Sequence, residues 1–171
     1  MNYNFRKART SEISQIWDIL QKAINRRKED NSNQWQDGYP NIEILQKDIE
    51  KEAGFVLVEG DDILGYCAIL INDEPQYNNI KGKWLTNGDF VVFHRIAISE
   101  KHLRKGLAKM LIQKIEDFAL KNKIYSIKAD TNYDNIAMIK IFESLGYELC
   151  GEVYFRGNPR NAYEKVLANP L

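Results

Sequence analysis

The chain has few cysteines and prolines, no excess of charge of either sign and no long hydrophobic run. Its 171 residues include only 2 Cys and 4 Pro, too few cysteines for a disulfide framework. The 24 Lys and Arg residues balance 24 Asp and Glu residues, so no overall positive field is present to hold a nucleic acid. The longest apolar run, residues 64–71, is far shorter than the ~20 residues that span a bilayer. We therefore expect neither nucleic acid nor a membrane among its partners.

Common nucleotide-binding and hydrolase motifs are missing as well. No GxGxxG follows a strand, no GxxxxGK[ST] is present, and no GxSxG places a serine on a tight turn. Hydride transfer, NTP hydrolysis and α/β-hydrolase chemistry therefore lack their usual sequence support. Only 2 His residues occur, and no His, Cys and Asp side chains stand together at ligand spacing, so we expect no catalytic metal.

Signals for export are also scarce. Residues 1–10 carry charges where a secretory signal peptide has an apolar core, which predicts a cytoplasmic protein. Cys67 and Cys150 each lie in a strand-like apolar segment, which predicts reduced thiols packed in a core. Neither has an evident base or helix N-terminus beside it, so neither is a good candidate for a nucleophile.

The composition is that of a globular protein, with 44% hydrophobic and 28% charged residues and a length typical of one domain. Thr10 or Ser11 is expected to cap a first helix, Asn41 a second, and Gly146 to end the last. The periodicity predicts helices near 11–27, 42–49, 107–118 and 134–145, and strands near 4–7, 55–59, 63–71, 90–98, 124–129, 147–154 and 162–167. This order predicts a single α/β (α+β) domain over residues 1–171, with a mixed sheet and helices on both faces.

The most informative segment is the junction between a strand and a helix at residues 90–119, which read FVVFHRIAISEKHLRKGLAKMLIQKIEDFA. Free N–H groups of the first helical turn, the helix dipole, Arg104 and Lys105 would converge on a phosphate. Gly106 and Ala108 would let the backbone approach it closely. The alternative is a basic loop that only makes the start of the helix soluble.

The run Leu103-Arg104-Lys105-Gly106-Leu107-Ala108, followed by Asn135 and Leu145-Gly146-Tyr147, resembles the GNAT superfamily of acetyl-CoA-dependent N-acyltransferases. The resemblance covers nearly the whole chain. The family's pyrophosphate loop reads [Arg/Gln]-x-x-Gly-x-[Gly/Ala]; Gly106 and Ala108 match it, whereas Leu103 stands at the first position with Arg104 one place later. The resemblance implies a mostly antiparallel central sheet that splays between the strands near 90–98 and 124–129.

The resemblance also implies acetyl-CoA as co-substrate and a set of residues that bind it. Backbone groups of the strand would pair with the pantetheine arm and stabilise negative charge on the oxygen of the transferred group. Asn135 fits the position whose side chain touches the cofactor, although it could equally cap a helix. The full expected set comprises Ile96, Ala97, Ile98, Leu103, Arg104, Lys105, Gly106, Leu107, Ala108 and Asn135.

An amine acceptor is mostly protonated at neutral pH, so transfer needs a group that removes a proton. His94 is the first candidate for this base, because it interrupts the apolar strand on the same side as Val92 and Ile96. The alternative is a buried, hydrogen-bonded structural histidine. Arg95 points to the opposite face, where we expect it to pair with a carboxylate under a helix rather than to anchor a substrate carboxylate.

The family often uses a tyrosine seven residues after the Asn to protonate the departing thiolate. This chain has Phe142 there, which cannot donate a proton. Water, Tyr133 or Tyr147 would have to serve instead, and the sequence leaves that choice open.

The loop between the first two helices, residues 33–40, borders the acceptor site in proteins of this family. Trp35 and Tyr39 would line the acceptor pocket, or alternatively anchor the loop to the protein body. Asp37 or Glu43 could attract an amine cation, although single acidic residues near loops are more often solvated.

The sequence thus predicts an N-acetyltransferase that moves an acetyl group from acetyl-CoA directly to a primary amine of a small molecule or peptide. The alternative is a non-catalytic module that binds acyl-CoA as a sensor or regulator. The oligomeric state is left open, with a homodimer as one outcome because members of the family are often dimers.

Overall fold

The computed structural model describes residues 2–169, which form four α-helices and eight strands. The helices are α1 (Ile13–Glu29), α2 (Ile42–Glu50), α3 (Leu107–Lys121) and α4 (Ile136–Leu145). The strands are β1 (Tyr3–Lys7), β2 (Gly54–Glu59), β3 (Asp62–Ile71), β4 (Lys81–Gly82), β5 (Val91–Ile98), β6 (Ser126–Thr131), β7 (Glu148–Phe155) and β8 (Asn158–Val166). Over residues 2–169, no helix is both long and apolar enough to cross a membrane.

The strands follow the order β1-β2-β3-β5-β6-β8-β7-β4 in one sheet. The pairs β1–β2, β2–β3, β4–β7, β6–β8 and β7–β8 are antiparallel, whereas β5 and β6 run parallel. The predicted class, a mixed and mostly antiparallel sheet with α-helices, is therefore confirmed. The parallel register pairs Val91 with Ile127 and Val92 with Lys128, at the start of β5.

The described residues divide into two compact units. The first unit contains the residues up to Ile69 and Arg95–Ile112, and the second contains Leu70–His94 and the residues from Gln113 onward. Strand β5 and helix α3 contribute to both. The expectation of one domain over residues 1–171 stays a prediction.

In the first unit, α1 and α2 pack on the sheet through apolar residues at helical spacing. The buried residues of this core are Ile16, Ile19, Leu20, Ala23, Leu45, Ile49, Val56, Val58, Ile63, Tyr66 and Ala97. Asn41 caps α2 as predicted, since its side chain accepts a hydrogen bond from the N–H of Ile44 at 3.0 Å.

The predicted cap of α1 at Thr10 or Ser11 is wrong. These residues lie in a 3₁₀ turn, Thr10–Glu12, and α1 begins at Ile13. The Glu12 carboxylate accepts the N–H of Arg9 at 2.8 Å and pairs with the Arg6 guanidinium at 2.6 Å. These contacts satisfy the turn without a hydroxyl cap.

In the second unit, a smaller core of Tyr77, Val92, Val153 and Ala162 lies on the sheet. Helix α4 ends at Gly146, which has φ +83° and occupies the left-handed conformation expected of a helix-ending glycine. Strand β8 begins at Asn158, four residues before its predicted start.

The prediction that both thiols pack in a core holds for Cys67 and is wrong for Cys150. Cys67 is completely buried, whereas Cys150 is partly exposed. The register of β7 shifts between Leu149 and Gly151, so Cys150 lies at an irregularity of the strand rather than in a regularly paired segment. Both cysteines are free thiols.

Candidate active site

The loop before α3 leaves an open and positively charged surface. Arg104 and Gly106 have φ values of +61° and +73°, so two residues of this short loop are left-handed. Arg104, Lys105 and Gly106 are all exposed, and a Cβ added at Gly106 would meet nothing within 4 Å. Left-handed residues in a turn direct successive N–H groups to one side, and the first turn of a helix has N–H groups without an internal acceptor. The arrangement is suited to holding an anion.

Leu107 fixes this loop to the protein body. Its side chain is 3% exposed, in contrast to the three residues before it. Leu103 and Ala108 are half-buried on either side of the exposed residues. Lys105 Nζ lies 3.5 Å from Nδ1 of His102.

The end of β5 leads into this loop and is closely packed. Ala97 and Ile98 are buried, and Ile96 is half-buried. A Cβ at Gly65 would lie 2.8 Å from Cδ1 of Ile98 and 3.2 Å from the carbonyl oxygen of Ala97, so a larger residue there would require the Ile98 side chain to move. The carbonyl of Ile98 accepts a hydrogen bond from Arg26 at 3.1 Å. These contacts fix the position of the strand end in the first unit.

Arg95 makes the carboxylate contact that the sequence predicts under a helix. Its guanidinium binds Asp48 of α2 through two hydrogen bonds, of 2.8 and 2.6 Å, and Tyr66 donates to the same carboxylate at 2.7 Å. Arg95 also donates to the hydroxyl of Tyr39 at 2.5 Å. Its φ of +57° interrupts the extended backbone of β5. The network therefore joins β5, α2 and the 33–40 loop inside the first unit.

Tyr39 and Trp35, the predicted acceptor-pocket residues, are both half-buried. Trp35 packs against the core of the first unit, and Tyr39 is bound by Arg95. These contacts favour the anchoring role for Trp35 and leave Tyr39 held by its hydroxyl. Asp37 and Glu43 are both exposed.

His94 lies in the second unit among groups of negative charge. Its Nε2 is 2.7 Å from a carboxylate oxygen of Glu74, and its Nδ1 is 3.9 Å from a carboxylate oxygen of Asp130. Tyr77 donates its hydroxyl to that Asp130 oxygen at 2.6 Å. The rings of Tyr77 and Phe155 stand edge-on to the imidazole, with centroids 6.4 and 6.1 Å away. His94 is therefore a partly buried imidazole between two carboxylates and two aromatic rings.

Trp84 packs against Tyr77, one of the two aromatic residues next to His94. Its Nε1 donates to the carbonyl oxygen of Tyr77 at 2.9 Å, and its ring centroid lies 4.9 Å from that of Tyr77. The Lys128 ammonium lies over the rings of Trp84 and Phe90, 4.7 and 4.4 Å from their centroids. Burial lowers the pKa of this lysine.

The candidates for a proton donor differ sharply in exposure. Tyr133 is 60% exposed, whereas Tyr147 is 4% exposed and packs against Phe142 with the rings tilted and their centroids 5.3 Å apart. Burial, with the Glu116 carboxylate nearby, raises the pKa of Tyr147 well above its usual range. Asn135 caps α4, since its side chain accepts the N–H of Met138 at 3.3 Å.

Three residues near His94 were missed by sequence reasoning. Glu74 and Tyr77 lie in the polar segment between β3 and β5, which has no periodic pattern, and Asp130 stands within a strand. The only signal was the pair of acidic residues Asp73 and Glu74 directly before Pro75, a typical start of a turn. Among residues 2–169, no group of three or more His, Cys, Asp and Glu side chains could hold a metal ion.

Comparison with known proteins identifies many similar structures. A family model described as "Acetyltransferase (GNAT) family" matches residues 17–147. No curated protein matches the chain. The crystal structure of a GNAT-family acetyltransferase from Streptococcus agalactiae is 33% identical, with 98% of this chain and 96% of that chain covered and a TM-score of 0.89.

Two further solved structures extend the comparison. A Staphylococcus aureus protein named as a candidate acetyltransferase is 25% identical, with 96% and 99% of the two chains covered and a TM-score of 0.73. Salmonella typhimurium yncA, solved with its cofactor acetyl-CoA, is 17% identical, with 100% and 97% covered and a TM-score of 0.70. At that identity the likeness to yncA extends to the fold alone.

Proposed function

Because the chain belongs to the acetyltransferase (GNAT) family, we propose that it transfers an acetyl group from acetyl-CoA to a primary amine of a small molecule or peptide. Acetyl-CoA supplies the acetyl group as a reactive thioester. The observation that carries the choice of donor is the exposed loop before α3, with left-handed backbone at Arg104 and Gly106.

This loop fits a diphosphate for three reasons. Its backbone at Gly106 is unobstructed, because a Cβ there would have no neighbour within 4 Å. Arg104 and Lys105 are exposed and able to turn toward an anion. The helix that follows has 15 residues, so its dipole is well developed at the N-terminus. Leu103 at the first position of the motif leaves Arg104 as the nearest guanidinium.

The proposed binding set beyond the loop is the strand end at Ile96, Ala97 and Ile98, together with Asn135. The strand end would contribute backbone groups, and its fixed position in the first unit suits this task. Asn135 would donate from its side-chain NH₂ group while its side-chain oxygen Oδ1 caps α4.

His94 is the proposed base. An ammonium group must lose a proton before its nitrogen can attack the thioester carbonyl. The imidazole is half-buried and faces two carboxylates, which would stabilise the positive charge it acquires. For the departing thiolate, solvent or the exposed Tyr133 is the better proton source, since burial raises the pKa of Tyr147 and so makes it a weaker and less accessible acid.

Direct transfer without an acyl-enzyme agrees with the state of the two thiols. Burial raises the pKa of Cys67 and, less strongly, that of Cys150. A thiol with a raised pKa is a poor nucleophile at neutral pH.

Acetyl-CoA should raise the melting temperature of the protein by mass action. Arg104→Glu combined with Gly106→Val should abolish this rise, because it reverses a charge and fills the open backbone. The matched control is Lys121→Glu combined with Gly88→Val, which makes the same changes at exposed positions and should keep the rise. A full rise in the loop variant would refute the phosphate site.

A screen of primary amines with a free-thiol readout tests turnover. We expect thiol release with at least one amine, at a rate that His94→Ala lowers at least ~100-fold with little change in acetyl-CoA affinity. Wild-type turnover in His94→Ala would give His94 a structural role. Binding of acetyl-CoA without thiol release on any amine would instead support a sensor.

A further inference from the structure

Glu74 is held by contacts at both of its carboxylate oxygens. Oε1 accepts the N–H of Gln76 at 3.3 Å, in the turn Pro75–Asn79, and Oε2 lies 2.7 Å from Nε2 of His94. The side chains of Glu74 and His94 are 11% and 13% exposed. The carboxylate is therefore fixed by its own turn while it contacts the imidazole.

This contact determines which ring nitrogen carries the hydrogen in neutral His94. An ionised carboxylate only accepts hydrogen bonds, so a 2.7 Å contact with Nε2 requires the hydrogen to be on Nε2. Nδ1 then has a lone pair. The nearest Asp130 oxygen is 3.9 Å from Nδ1, beyond hydrogen-bond distance, and already accepts the hydroxyl of Tyr77.

We propose that Glu74 is a positioning residue for the transfer reaction: it holds neutral His94 with its hydrogen on Nε2, so that Nδ1 takes the proton of the acceptor. The inference rests on the proposed function, in which His94 is the base. One N–H bond of the acceptor ammonium breaks, an Nδ1–H bond forms, and the nitrogen keeps the electron pair with which it attacks. The imidazolium returns the proton to solvent after transfer.

The surroundings of His94 support this assignment. The titratable groups that face the ring are Glu74, Asp130 and Tyr77, so a protonated ring would have a carboxylate near each nitrogen. The rings of Tyr77 and Phe155 pack against the imidazole and reduce the access of water, which strengthens both electrostatic contacts. A carboxylate that orients a catalytic histidine is worth up to ~10⁴-fold in turnover in other enzymes.

The first test reads the hydrogen directly and needs no substrate. Nitrogen-15 chemical shifts of histidine distinguish the two neutral forms, and the chain has only 2 His residues. A His102→Gln variant identifies the signal of His94. We expect the hydrogen on Nε2 in the wild type and a shift toward Nδ1 in Glu74→Gln, whose amide can donate to Nε2. A wild-type signal with the hydrogen on Nδ1 would overturn the proposal.

The second test measures turnover. Glu74→Gln should lower kcat at least ~100-fold and leave KM for acetyl-CoA within about twofold. Glu74→Asp should restore part of the rate. Asp73→Asn removes the same charge from the exposed neighbouring position and should behave as wild type.

Combination with His94→Ala separates the two proposals. If Glu74 acts through His94, the double variant should be no slower than His94→Ala alone. A slow His94→Ala with a normal Glu74→Gln would refute the role of Glu74 and leave the base assignment intact. Normal turnover in His94→Ala would refute the base itself.

Discussion

Glu164 is the most deeply buried carboxylate described, with 0% exposure. It accepts hydrogen bonds from the N–H of Leu85 at 2.6 Å, from the hydroxyl of Ser126 at 2.7 Å and from the hydroxyl of Thr86. These donors would be left without an acceptor if the carboxylate were lost. The residue therefore ties the segment after β4 to β6 and β8.

Glu164→Gln should destabilise the protein by about 2–4 kcal/mol, because one accepting oxygen is replaced by an amide that faces donors. The free energy of unfolding in urea measures this. Glu148→Gln is the matched control, since Glu148 is the exposed residue paired with Glu164 in the register of β7 and β8. Equal losses in the two variants would contradict the structural role of Glu164.

At the scale of an element, the Arg95–Asp48 pair connects β5 to α2. The side chains are 7% and 8% exposed, so removal of one partner leaves a buried charge without its counterpart. Arg95→Ala should therefore cost about 3–5 kcal/mol. The double variant Arg95→Met with Asp48→Leu should recover much of this loss. Chemical denaturation of the wild type, Arg95→Ala and the double variant measures these changes in the free energy of unfolding. Lys22→Ala, in the exposed Lys22–Asp18 pair, is the control.

Asn135 caps α4 and is also proposed to bind acetyl-CoA, and substitution can separate the two roles. Asn135→Ala removes the cap of α4 and should cost about 1 kcal/mol. Asn135→Asp keeps an oxygen that accepts the Met138 N–H but has no amide to donate. We expect Asn135→Asp to retain stability and lose acetyl-CoA affinity, measured by thermal unfolding and calorimetric titration. Unchanged affinity in both variants would leave Asn135 as a cap alone.

The sequence predicts elements with a clear period and misses those that depend on distant partners. Residues 13–29, 107–121 and 136–145 carry apolar positions at helical spacing, and the structure has helices there. The turn Pro75–Asn79 and β4 have no period of their own. They are held by partners remote in sequence, such as Asp130 for Tyr77 and Glu152 of β7 for Lys81. The partners of His94 could not be predicted for this reason, whereas Arg95 followed from strand alternation.

At the scale of the whole molecule, three buried groups that can lose a proton should make the protein less stable at alkaline pH. Burial raises the pKa values of Cys67, Tyr66 and Tyr147 above those of the unfolded chain. The unfolded chain thus releases protons above about pH 9 that the folded protein retains. The stabilisation is fully present below that pH and decreases as the pH rises further.

The free energy of unfolding should fall between about pH 9 and pH 11, by up to about 1.4 kcal/mol per pH unit for each group once its unfolded form is ionised. Tyr147→Phe should make the fall of the unfolding free energy with pH less steep above pH 10, by about 1.4 kcal/mol per pH unit, because one fewer proton is released on unfolding. Urea denaturation at four pH values, with the exposed Tyr133→Phe as control, gives both slopes. Parallel curves for Tyr147→Phe and the wild type would contradict the assignment.

The position of Trp84 gives the protein an intrinsic optical probe. Of its 3 tryptophans, Trp17 and Trp35 pack in the first unit. Trp84 instead donates a hydrogen bond to the backbone carbonyl of Tyr77, and the side chain of Tyr77 contacts both Asp130 and His94. With Trp17 and Trp35 replaced by phenylalanine, indole emission comes from Trp84 alone. We expect its wavelength and intensity to report changes in the packing around Tyr77, measured in a cuvette with no dye attached.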